Sequence, residues 1–133
     1  LSSASDLAAE RYEHAQDWRK SVDMRDKQTA ALVRQMQQEE QQRAQSIKNV
    51  LSMVRNISNS SQEQLERSYG QAAAELKVIE ANLERLAGVT PTAEIQQIQM
   101  QLEYARQQIR EHMSYLKSHA DRHFPMNQLS AAY

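Results

Sequence analysis

Two glycines and two prolines are all that this chain of 133 residues contains, where average usage predicts about nine and six or seven. A fold built from many tight turns, such as a sandwich, a barrel or a βαβ series, needs far more punctuation than that. The sequence therefore predicts an all-α protein made of a few long helices, and a chain of this size is one domain at most. Composition agrees: eighteen glutamines and seventeen alanines, both good helix formers, outnumber by far the seven aromatics that would fill a wide core.

The one strong breaker cluster is Ala87-Gly88-Val89-Thr90-Pro91-Thr92, where Gly88 can end one helix and Thr92 can start the next. Asn56 to Ser61 is a weaker interruption, a run of polar residues whose side chains compete for backbone partners, read either as a turn or as a soft stretch of helix. A third boundary falls at Phe124-Pro125, because the residue before proline is pushed out of the helical region. The expected helices are therefore 5 to 56, 61 to 87 and 92 to 123, forming one helical domain over 1 to 124, with 125 to 133 as a tail.

Periodicity sharpens this into a hairpin. Leu65, Tyr69, Ala72, Leu76, Ile79, Leu83 and Leu86 alternate in spacings of four and three, the pattern of a coiled-coil seam. Ile95, Ile98, Leu102, Ala105, Ile109, His112, Leu116, His119 and His123 repeat it without a slip. Folded about Gly88 to Pro91, the two seams set Leu86 near Ile95, Ile79 near Leu102, Ala72 near Ile109 and Tyr69 near His112. The expected architecture is a long N-terminal helix followed by an antiparallel helical hairpin with coiled-coil-like packing.

The first helix is longer than anything that could cover it. At about 1.5 Å per residue it reaches roughly 78 Å, against about 40 and 48 Å for the other two. If the chain reverses at Asn56 to Ser61, some twenty residues carrying Tyr12, Trp18 and Val22 extend past the hairpin with apolar surface uncovered. Those three residues are the expected interface, because a monomer seldom keeps an extended apolar stripe in water and Trp is enriched at interface hot spots. Six scattered methionines suit gap filling. The glutamine-rich stretch from Gln35 to Gln45 reads as solvated helix, with a polar seam or amide-lined lumen as the alternative.

Charge and motifs narrow the function classes further. Sixteen basic and seventeen acidic residues, evenly spread, give a net charge of -1 and no electrostatic footprint for nucleic acid. The longest apolar runs, such as Ala72 to Ala74, are far short of the roughly 20 residues that cross a bilayer, so membrane insertion by this segment is not expected. Without cysteine there is no disulfide or thiolate site. The chain begins at Leu1 instead of Met, from which an upstream segment such as a signal peptide or anchor is inferred; the compartment is left open. No phosphate-cradling loop, nucleophile elbow or zinc-protease motif is present, and charges such as Glu39 with Arg43 and Glu63 with Arg67 fall at ordinary helix-pair spacing. An enzyme, a cofactor and a small-molecule substrate are accordingly not expected. His112, His119 and His123 share the seam, and His119 and His123 have the spacing that lets two imidazoles reach one metal; the weightier reading is that they are tolerated, half-exposed residues at a loosening end, with a pH-dependent seam or a metal site as alternatives.

In texture, with long helices rich in Gln, Ala and Arg, the chain resembles helical hairpin components of bacterial secretion machines and the internal ejection proteins of tailed phages. That likeness implies a structural or assembly role and carries no particular residue across. The expected function is thus a non-enzymatic assembly subunit that binds itself or another helical protein. A helical, periplasmic-type sensor with responsive seam histidines, and a small adaptor or chaperone that captures a partner helix, are the alternatives.

Overall fold

The computed structural model describes residues 3–52 and 57–124. Its elements are α1 (Ala4–Ser52), a single 3-10 turn (Ile57–Asn59), α2 (Gln62–Ala87) and α3 (Ala93–His123), with no strand among the described residues. The expected tail, 125 to 133, lies outside the described residues.

Local sequence explains where each helix starts and stops. Ser3 and Asp6 bond reciprocally at the head of α1, backbone N–H to side-chain oxygen in both directions at 3.2 Å. This is a capping box with Asp in place of the usual Glu, and it satisfies two otherwise orphaned donors. Ser61 and Gln64 form the same device at the start of α2. Thr92 caps α3 by accepting from the Ile95 N–H. The sequence boundaries for α2 and α3 are met to within a residue; α1 is described to Ser52, and its expected continuation to Asn56 lies outside the described residues.

Gly88 closes α2 as expected, donating its backbone N–H to the Leu86 carbonyl. Its φ of -85° is right-handed, however, so the cap does not draw on glycine's freedom to take positive φ. A Cβ there would meet the Arg85 carbonyl oxygen at 3.8 Å, an ordinary contact.

The chain divides into two compact units, Leu1–Met36 and Gln37–Tyr133. The second holds the hairpin. Leu65, Tyr69, Ala72, Ile79 and Leu86 from α2 are buried, as are Ile95, Ile98, Leu102, Ala105, Ile109 and Leu116 from α3. Leu76 and Leu83 are partly buried. At the end remote from the loop, Leu65, Tyr69, Leu116 and Ala120 form one apolar cluster, with Ile57, Met113 and Phe124 packed against it. Tyr69 thus sits with the turn of α3 that follows His112.

Within the same unit, residues 37 to 52 of α1 run antiparallel to α2. The Ser46 hydroxyl donates to Glu75 Oε1 at 2.5 Å, the Arg43 guanidinium lies 3.7 Å from the other Glu75 oxygen, and Glu40 lies beside Asn82. The chain therefore reverses between Ser52 and Gln62, which decides against a continuous helix there; in the described part of the expected interruption, 57–61, the 3-10 turn is closed by the Ser60 N–H on the Ile57 carbonyl.

The first unit is described by itself. It is the N-terminal part of α1, free of glycine and proline, and most of its side chains face solvent.

Candidate functional site

A helix stays folded in water when it buries one face, so the residues of α1 that should be buried and are not mark where to look. In the first unit Tyr12 is 63% and Trp18 66% exposed, with Leu7 and Met24 also exposed and Val22 partly buried. Helical geometry sorts them. Leu7, Trp18 and Val22 lie within about 60° of one another round the helix, while Tyr12 stands about 120° from Trp18 and Met24 on the far side. Of the expected trio, Trp18 and Val22 share a face with Leu7, while Tyr12 stands off it. The signal was present in the sequence, since Leu7 and Trp18 are eleven residues apart, close to three full turns.

The second unit carries a groove of its own. Between residues 37 to 51 of α1 and 94 to 108 of α3 lies an open trough of about 790 Å³. Ala44, Ile47, Ile98 and Ala105 supply apolar floor, and glutamines from both helices, among them Gln41, Gln97 and Gln101, supply the amide-rich sides. Tyr104 stands in one wall, 65% exposed. Sequence reasoning did not find this groove. Its amides come from Gln37 and Gln41, in a run read as solvated, and from Gln97, Gln101 and Gln108 of α3, and only the pairing of the helices brings them together.

That glutamine-rich run also hides a polar seam. Glu40 and Arg43 form an ion pair, each side chain 12% exposed, and meet Asn82 and Glu75 of α2. Burial raises the Glu40 carboxyl above the usual carboxylate value, with the neighbouring Glu39 adding to it, while Arg43 and the nearby Asn82 amide pull the other way. Asn82 is buried, its Oδ1 accepts from Arg85 at 3.5 Å, and its Nδ2 has no well-formed hydrogen bond. The legible trace was Ser68, Glu75 and Asn82, small or polar residues spaced by sevens on one row of α2.

The histidines come out unlike one another. His119 is buried at 5% exposure, whereas His123 is exposed; their ring centroids are 4.2 Å apart, with the planes tilted by 31°. The expected seam therefore stops one turn short of His123, which faces solvent. His112 is partly buried, with its Nε2 shielded from solvent and lacking a hydrogen-bond partner among the described residues. Desolvation lowers both His112 and His119 below the ordinary histidine value, and for His119 the nearby His123 and Arg122 charges add to the shift. The three rings do not converge on one point. Among the described residues no group of three or more His, Asp or Glu is placed to hold a metal ion, and no helix is long and apolar enough to cross a membrane.

The described surface thus carries an exposed apolar stripe on α1 and, in the second unit, a groove with an apolar floor and amide-rich sides. Comparison with protein-family models, with curated proteins and with solved structures finds no match for this chain.

Proposed function

We propose that this chain is a non-enzymatic structural or assembly subunit that associates through the apolar face of α1, with further copies of itself or with another helical protein. The observation that carries the reading is Trp18, the sole tryptophan, two-thirds exposed on a helical face that also holds Leu7 and Val22. A large aromatic is costly to leave in water and valuable at the centre of an interface. A place in an apparatus of the secretion or phage-ejection kind is the setting that the sequence texture suggests.

The test reads Trp18 directly. Its fluorescence emission shifts to the blue as protein concentration rises or as a partner is added, and Trp18→Ala weakens the assembly by about 1 to 2 kcal/mol or more. An assembly indifferent to Trp18→Ala overturns the proposal. So does a dilute, verified monomer whose emission is already fully blue-shifted, since Trp18 is then covered by its own chain.

A sensor reading has one observation in its favour, the stacked His119–His123 pair beside the buried end of the hairpin. Its mark is a change of assembly state between pH 7.5 and 5.5 or on adding zinc.

A further inference from the structure

The second unit holds its three helices together in two different ways. Between the loop and Ile109, α2 and α3 meet through buried apolar side chains, and the two helices approach one another closely along the hairpin. Residues 37 to 52 of α1 lie further off. Neither α2 nor α3 comes as close to α1 at more than a point or two, and the space left on the α3 side is the open groove. On the α2 side the gap is spanned by Glu40, Arg43 and Ser46, reaching towards Glu75 and Asn82.

This difference has an energetic consequence. Ile47 and Val50 are the buried apolar side chains of the 37 to 52 stretch, with Leu51 half-buried, and Glu39, Glu40, Arg43 and Ser46 are half-buried beside them. Two buried aliphatic side chains remove far less apolar surface from water than the seam of the hairpin does. A buried ion pair recovers in attraction roughly what it loses in desolvation, so Glu40, Arg43 and Glu75 fix where the stretch docks and add little to how firmly. Burial also disfavours the charged form of Glu40, and Asn82 Nδ2 lacks a well-formed hydrogen bond; both groups regain water if the stretch lifts. The hairpin has an anchor that such a movement leaves alone: the cluster of Leu65, Tyr69, Leu116 and Ala120, with Ile57, Met113 and Phe124 against it, takes no residue from 37 to 52.

We propose that residues 37 to 52 form a releasable strap across the hairpin, which lifts away as a unit while α2 and α3 stay paired and carries one whole wall of the groove with it. Such an opening is sub-global: it breaks the weaker interface and costs less than unfolding the chain. The groove is then a property of the closed form alone, and an occupant of the groove draws the population towards closure. Nothing in this depends on what covers Trp18.

The chain has no cysteine, so a single introduced thiol reports one position. Val50 is buried in the strap, and Ala73 is buried on the side of α2 turned away from Glu75 and Asn82. In the folded full-length chain a thiol reagent labels Val50→Cys at least about tenfold faster than Ala73→Cys, once each rate is scaled to that of the urea-unfolded protein and to the global stability of the variant. Low urea accelerates Val50→Cys less steeply, because lifting the strap exposes less surface than unfolding the chain. Leu116→Ala weakens the hairpin at a site clear of the strap. It hastens labelling of Ala73→Cys about tenfold or more and leaves Val50→Cys unchanged, since the closed and strap-open forms lose the same contact. Should Leu116→Ala fail to fold, Ala120→Gly makes the same comparison with a smaller loss. Equal scaled rates at the two thiols, or equal acceleration of both by the hairpin variant, mean that the stretch is released only by global unfolding, and overturn the proposal.

Discussion

His112 and His119 show how a residue can be placed correctly by spacing and still mislead about its role. Spacing put both on the seam, and burial confirms the position for His119. What spacing did not carry was the count of partners: the sequence could not show that His112 Nε2 would be shielded without a bond, since that depends on which side chains surround it in three dimensions. The energetic sign follows from desolvation, which favours the neutral imidazole in the folded chain. Between the lowered folded value and the ordinary 6.5, the unfolded chain binds more protons than the folded one. The stability these groups supply is therefore complete above pH 6.5 and is lost as pH falls through their folded values. Glu40 acts in the opposite sense: with its value raised above 4.5, its contribution is complete below 4.5 and is lost as pH rises through the folded value. A thermal melt at pH 5.5 should lie below one at pH 7.5, and His112→Leu should narrow the gap. Equal melting of parent and variant at both values would remove His112 from the account.

Among the elements, α2 and α3 were legible almost to the residue and α1 only in part, for a physical reason. The hairpin announces itself three ways at once, through a heptad seam on each helix, a capping residue ahead of each, and one glycine–proline loop between them. Helix α1 has a capping box at its head but faces two environments along its length, so no single period describes it. Its stretch from 37 to 52 meets α2 through Glu40, Arg43 and Ser46 as well as through Ile47 and Val50, and a polar seam is invisible to any search for apolar spacing. The hairpin claim is open to direct test. Leu102 is fully buried opposite α2, and Leu102→Ala should cost about 2 to 5 kcal/mol of stability, the transfer free energy plus the cavity left behind. A melt within about one degree of the parent would show that the site is not a packed core.

For the molecule as a whole, composition settled the class and stopped there. Few glycines and prolines leave only long helices, but the groove beside Tyr104 became visible as a surface only when the pairing of the helices fixed what was already covered. The brevity of the Gly88 to Thr92 connection has a different consequence, one that concerns time. Contacts across that loop join residues close in sequence, so forming the hairpin costs little loop-closure entropy and belongs to the microsecond-to-millisecond regime of helical proteins. The 37 to 52 stretch must close a wider span and then align buried polar partners, which places its docking on the native side of the rate-limiting step. Stopped-flow kinetics can resolve this order. Leu102→Ala should slow refolding, whereas Glu75→Ala should chiefly hasten unfolding and leave the refolding rate nearly unchanged. A chain that folds in that order has its hairpin complete while the 37 to 52 side of the groove is still forming, so the groove between α1 and α3 is the last feature of the second unit to take shape.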